Sequence, residues 1–340
     1  VKTPQNPTAR YLEIHTALLK DKRWWWDSTP FPFAAIAALR ASESADQLAE
    51  KIHQVAKELK DLAGWFGELT GAIRFVISAM IVQTQDTAES FSAELVRVRK
   101  RFRDLKIRNG ADYEIIAATI LRYGVNPNGK LSETSDSLIE RFKLVHTEMS
   151  KHQWWLTSVD DYPACAILAC QQDSPIQMCS EIEAIYQQLV AAGFWKGNPL
   201  QTAANVLFLK KEHPATIAST FHELSETFKA RKIRVWQSEY DKLAILTLID
   251  QPTDTIVNQV QNIIAELRMS KIKPRTSKQD AFNLACSLCF YEMVESHPAN
   301  AIATATTMID LSAAIAAQMA AIAAIAATTA ATNVATNASS

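Results

Sequence analysis

In the stretch SFSAELVRVRKRFRDLKI, residues 90–107, the apolar side chains fall at Phe91, Leu95, Val98, Phe102 and Leu105, in steps of four, three, four and three. That spacing places them on one face of an α-helix and leaves the charged residues on the other. Five more stretches carry the same one-sided pattern: LAEKIHQVAKELKDL, SLIERFKLVHTEM, QMCSEIEAIYQQLVAAG, TIASTFHELSETFKA and TIVNQVQNIIAELRM.

Between these lie segments of a second kind, apolar all round and rich in alanine: FAAIAALRAS, FVISAMIVQT, EIIAATILRY, ACAILACQQD, TAANVLFLKK, KLAILTLIDQ and NLACSLCFYE. A helix without a polar face must be enclosed, and small side chains let its neighbours approach closely. Reading along the apolar residues Leu39, Ile81, Leu121, Leu168, Leu207, Leu248 and Leu288 gives intervals of 42, 40, 47, 39, 41 and 40 residues. A period near 40 built from one buried and one amphipathic helix predicts an all-α array of six to seven antiparallel helix pairs, an α/α superhelix or toroid.

Helix starts are marked by Ser174-Pro175 and Asn198-Pro199, with a capping side chain before a proline, and by Ser44-x-x-Gln47 and Asp86-x-x-Glu89 at capping-box spacing. The one long interval contains YGVNPNGKLSETSDS, residues 123–137, whose turn-forming residues predict a division of the array. Residues 1–123 then form one half, residues 131–296 the other, and residues 297–340 an alanine-rich helix with a disordered end. The tail holds a stripe at Met308, Leu311, Ile315, Met319 and Ile322 that suits docking on the last pair or pairing with a second copy. Too few strongly apolar residues lie beside Asp310 for it to read as a membrane anchor.

Tryptophan recurs in the connectors that lead into the buried helices: Trp26, Trp65, Trp155, Trp195 and Trp236, with Ile107 and Ile272 standing in elsewhere. One reading makes each indole a plug between neighbouring helix pairs, fully buried at Trp195 and Trp236. The other makes the edge an aromatic track for a ligand. Trp24, Trp25, Trp154 and Trp155 are its candidates, since only one indole of each cluster is needed as a plug. The same connectors are basic, with Arg103, Lys106 and Arg108, then Lys229, Arg231, Lys232 and Arg234, then Arg268, Lys271, Lys273 and Arg275. Cations favour helix C-termini, so this pattern suits a solvated edge. Arg231 and Arg234 beside Trp236 are nonetheless candidate ligand contacts.

Composition narrows the function classes. The 340 residues are 48% hydrophobic and 21% charged, with a formal net charge of −1, so no global field draws in nucleic acid or a membrane surface. Eight glycines are roughly a third of average usage and leave little for phosphate-cradling loops. The five cysteines, odd in number and set in apolar helical patterns, predict buried thiols in a reducing cytoplasm, Cys286-x-x-Cys289 included. The seven histidines form no ligand pair at metal-site spacing, and neither a zinc site nor a cofactor motif is readable. Asp27, Asp160, Asp161 and Asp241 near the connectors could supply the paired carboxylates of an α/α-toroid glycosidase, although acids before helices more often cap them.

The segments GWFGELTGAIRFVISAMI, DDYPACAIL and IEAIYQQLVAAGFWKGNPLQTAANVLFL, with the alanine-rich C-terminus, resemble a family of uncharacterised bacterial proteins, domain of unknown function 4003. The resemblance implies the repeat architecture and a cytoplasmic bacterial setting, and it brings no catalytic residues. The expectation is a binding or scaffold protein for a protein or peptide partner, working through a concave face or the tryptophan-rich edge. A toroid hydrolase is the alternative, and in either case the tail stripe suits a homodimer through the C-terminal alanine-rich helix.

Overall fold

A computed structural model describes residues 6–20, 28, 30–62, 69, 71–124, 133–152, 158–270 and 278–295. Among these residues the protein is all-α, with no strand: α1 (Pro7–Lys20), α2 (Phe31–Ala37), α3 (Ala45–Leu62), α4 (Gly71–Thr84), α5 (Ala88–Asp104), α6 (Asp112–Tyr123), α7 (Asp136–His152), α8 (Tyr162–Ala169), α9 (Pro175–Ala191), α10 (Asn198–Leu207), α11 (Pro214–Ala230), α12 (Tyr240–Thr247), α13 (Thr253–Met269) and α14 (Lys278–Glu295).

The two kinds of sequence pattern become two kinds of helix. The even-numbered helices are enclosed: every residue of α6 from Glu114 to Tyr123 is buried, and so is all of α8 except Ile167. The odd-numbered helices bury one stripe, which in α5 includes Phe91, Leu95, Val98 and Phe102 and in α13 is Ile256, Val257, Val260, Ile263 and Leu267. Each fully buried Leu, Ile or Phe contributes about 1.5–3 kcal/mol from apolar surface removed from water. Helix α1, which precedes the first predicted pair, buries Tyr11, Ile14 and Leu18 in the same one-sided way.

The chain divides between Ser135 and Asp136 into two compact units. In the first, α1 packs on α2 and α3, α2 on α4, α3 on α4 and α5, α4 on α5 and α6, and α5 on α6. In the second, α7, α9, α11 and α13 pack in succession, as do α8, α10, α12 and α14, and each odd helix also touches the even helix that follows it. Most of the 123–137 connector and the whole 297–340 tail, with its docking helix and dimer contact, lie outside the described residues.

Helix ends agree with the sequence at some positions and correct it at others. At α3, Gln47 N donates to Ser44 Oγ (3.3 Å) and Ser44 N to Gln47 Oε1 (3.2 Å), the reciprocal bonds of a capping box. At α5 the cap is Thr87, whose Oγ1 accepts from Ser90 N at 3.1 Å. Asp86 is instead turned to Arg122. At α10 the cap position is Gly197 (φ 141°), and Asn198 is already in the helix, because only a glycine takes that backbone conformation without strain.

Candidate functional site

Three odd helices of the described chain end in the same way, and this ending places the connectors. Lys106, Gly193 and Lys232 take left-handed backbone conformations (φ 56°, 96° and 59°). The amides of the residues that follow, Ile107, Phe194 and Ile233, return to carbonyls of the last helical turn at Phe102 (2.8 Å), Leu189 (3.2 Å) and Phe228 (3.0 Å). This is the Schellman ending, in which the residue after the left-handed position makes the hydrophobic contact. Ile107 is accordingly buried, and the Phe194 ring lies 4.7 Å from Phe221 and 5.4 Å from Tyr240.

The predicted plugs are therefore corrected at Trp195 and Trp236, while Trp26, Trp65 and Trp155 lie outside the described residues. The wedge is filled by Ile107 and Phe194, with Ile233 at the same place in its turn. Trp195 and Trp236 follow one and three residues later and are 71% and 47% exposed.

Beyond Ile233 the chain passes through Arg234 to Trp236, where the backbone N–H donates to Glu239 Oε2 at 2.7 Å and fixes a single 3-10 turn before α12. An equivalent turn precedes α8, where Ser158 N donates to Asp161 Oδ2 at 2.9 Å. Both acids are buried, and burial is the largest cause raising both carboxyls, that of Asp161 to about 7. In the first unit Glu114 plays a related part: it accepts from Gly110 N (3.1 Å) and from Arg99 Nε (2.8 Å), and it also pairs with Arg103.

Beside Trp236 the second unit holds a cavity of about 500 Å³. One wall is the connector, with Lys232, Ile233, Arg234 and Trp236. The opposite wall is the face of α13 carrying Gln261, Ile264, Ala265 and Arg268, spaced i, i+3, i+4 and i+7, while Phe282 of α14 and Glu239 complete the lining. The guanidinium carbon of Arg234 lies 3.5 Å from the centre of the Trp236 ring. Lys232, Arg234 and Arg268 have no carboxylate within ion-pair distance among the described residues.

Their neighbours in sequence are committed elsewhere. Arg231 donates to Asp254 Oδ1 (2.8 Å) and Asn258 Oδ1 (2.7 Å) and does not line the cavity, and Lys229 pairs with Glu226 (3.1 Å). Of the candidate ligand residues read from the sequence, the cavity thus includes Arg234. Trp24, Trp25, Trp154 and Trp155 lie outside the described residues. Lys232 and Arg268 were visible only as members of a basic pattern, and the signal that could have singled out the α13 wall is the spacing of Gln261, Ile264, Ala265 and Arg268.

Each described carboxylate considered for hydrolysis has a partner within its own connector or turn. Asp160 accepts from Ser158 Oγ, Asp161 is buried in its turn, and Asp241 pairs with its neighbour Lys242. Among the described residues Glu239 is the sole carboxylate lining the cavity, without the facing partner that a glycosidase uses. Asp27 is outside the described residues. Among those described, no three His, Cys, Asp or Glu residues gather as a metal set, and no helix is long and apolar enough to cross a membrane. Cys286 and Cys289 are buried in α14, and burial pushes both thiols up.

The model of the family described as "Protein of unknown function (DUF4003)" matches residues 15–320. A curated relative, the uncharacterised protein YeaA of Bacillus subtilis (strain 168), is 24% identical over 292 residues, which cover 85% of this chain and 85% of that protein. No solved structure matches the chain.

Proposed function

We propose that this chain, which belongs to the DUF4003 family of proteins of unknown function, works as a helical-repeat binding protein whose ligand sits on the connector edge of the second unit. The observation that carries this reading is the cavity beside Trp236, where three cations with no carboxylate partner among the described residues meet a half-exposed indole. Cations and exposed aromatic surface gathered at one concave, partly apolar place are marks of a ligand site.

The repeat is supported by the spacing of about 40 residues and, in the second unit, by the successive packing of odd helices on odd, even helices on even, and each odd helix on the even one that follows. A reducing, cytoplasmic setting is supported by five cysteines that are all free.

Native mass spectrometry of the full-length protein purified from its own cells tests the reading. The expected result is a non-covalently bound mass that is absent from an Arg234→Ala/Trp236→Ala variant of equal thermal stability. Protein that carries no such mass, and acquires none after dialysis against a small-molecule extract of the same cells, would refute it.

A further inference from the structure

The cavity beside Trp236 has a chemistry specific enough to name a ligand class. Lys232, Arg234 and Arg268 place three cations against one carboxylate, Glu239, whose Oε2 is taken up by the Trp236 amide. A ligand with a single carboxylate would leave most of that positive charge unmatched. A phosphate group carries close to two negative charges at neutral pH and three acceptor oxygens, enough to engage two guanidinium forks and an ammonium together.

Arg234 is prepared for this role. Held 3.5 Å from the centre of the Trp236 ring with no carboxylate partner among the described residues, its guanidinium has N–H donors left for an anion. The rest of the lining suits a flat, largely apolar body: Ile233, Ile264, Ala265 and Phe282, with the exposed remainder of the indole. The Gln261 amide can both donate to and accept from ring heteroatoms. About 500 Å³ lies within the range of roughly 300–1,000 Å³ usual for small-molecule sites.

We infer that this cavity binds a phosphorylated small molecule with a planar heterocyclic body, of the mononucleotide class. The inference rests on the proposed binding role and adds the ligand's chemistry to it. A nucleic-acid polymer is disfavoured, because it needs a continuous row of free cations. Here Arg231 and Lys229 are already paired with Asp254 and Glu226.

The test is calorimetric titration of the full chain with adenosine and guanosine mono- and triphosphates, with adenosine and inorganic phosphate as comparisons. At least one nucleotide is expected to bind with micromolar affinity. Adenosine and phosphate should each bind about tenfold or more weakly, and an Arg234→Gln/Arg268→Gln variant should lose about tenfold or more. In protein carrying 5-fluorotryptophan, the fluorine resonance that disappears in Trp236→Phe should shift with the nucleotide, a readout independent of the arginine variant.

The inference is overturned if no nucleotide binds at millimolar concentration, if inorganic phosphate binds as tightly as the nucleotides, or if the arginine variant binds unchanged. It is equally overturned if a single-stranded oligonucleotide binds more than tenfold tighter than every mononucleotide. A bound mass in the native spectrum together with a blank nucleotide titration would remove this ligand class and leave the binding role standing.

Discussion

Arg122, near the end of α6, reaches back 36 residues to Asp86 at the start of α5, with Nε and Nη2 each 2.7 Å from Oδ2 and both side chains at least 95% buried. The carboxylate also accepts from Tyr123 Oη (2.9 Å) and, through Oδ1, from Thr87 N (2.9 Å), while Arg122 donates a further bond to Ser90 Oγ (2.7 Å). Desolvation and the adjacent Asp86 charge hold the Tyr123 phenol well above its usual range. With every partner satisfied, the pair ties the start of one amphipathic helix to the end of the enclosed helix that follows.

Removing one member leaves the other as a buried, unpaired charge. Arg122→Met is therefore expected to cost about 3–5 kcal/mol in a denaturant melt. An Asp86→Asn/Arg122→Met double variant should recover part of that loss, giving a non-zero coupling energy. Additive losses would show that the pair does not act as a unit.

The connector geometry reverses the ranking of two kinds of residue. Trp195→Ala and Trp236→Ala should change stability by no more than about 0.5 kcal/mol, as for other exposed positions. Ile107→Ala, at the buried Schellman position, should cost about 2–5 kcal/mol. Equal losses at Trp195 and Ile107 in thermal or denaturant melts would return the tryptophans to the role of plugs.

Asp161 gives the second unit a pH dependence of unusual sign. Its carboxyl rises from 3.8 to about 7, chiefly through burial, so the folded state keeps a proton that the unfolded chain gives up. Stability therefore falls as pH rises from about 3.8 to about 7 and levels off above that, by about 4 kcal/mol at most. Asp161→Asn, which can still accept from Ser158 N, should raise the melting temperature at pH 8 and change it little at pH 4. A variant equally affected at both values would show that the carboxyl ionises normally.

His15 acts in the opposite direction in the first unit. Burial lowers it from 6.5 to about 4, so acidification protonates the unfolded chain first, and stability present above pH 6.5 is lost as pH falls toward 4. The loss is about 3 kcal/mol. His15→Gln, which cannot take up the proton, should flatten the stability profile between pH 6.5 and 4. An unchanged acid transition in far-ultraviolet circular dichroism would place the cause elsewhere.

The sequence by itself determined that α2 to α14 are helices, which of them are enclosed and which have one wet face, while α1 fell outside the repeating pattern. Those properties depend on side-chain spacing within a few turns, and Phe91, Leu95, Val98 and Phe102 carry them locally. It also marked the connectors as basic and rich in tryptophan. It did not determine which apolar residue fills the wedge, because that choice follows from the left-handed backbone at Lys106, Gly193 and Lys232, and two of those three are not glycine. Nor could it say which cations are free. Arg231 and Arg234 look alike in the sequence, yet Arg231 meets Asp254, 23 residues away, while Arg234 lies over Trp236 and faces α13 across the cavity. Ion pairing and exposure depend on distances between elements that only packing brings together, so the candidate site became visible in the tertiary structure alone.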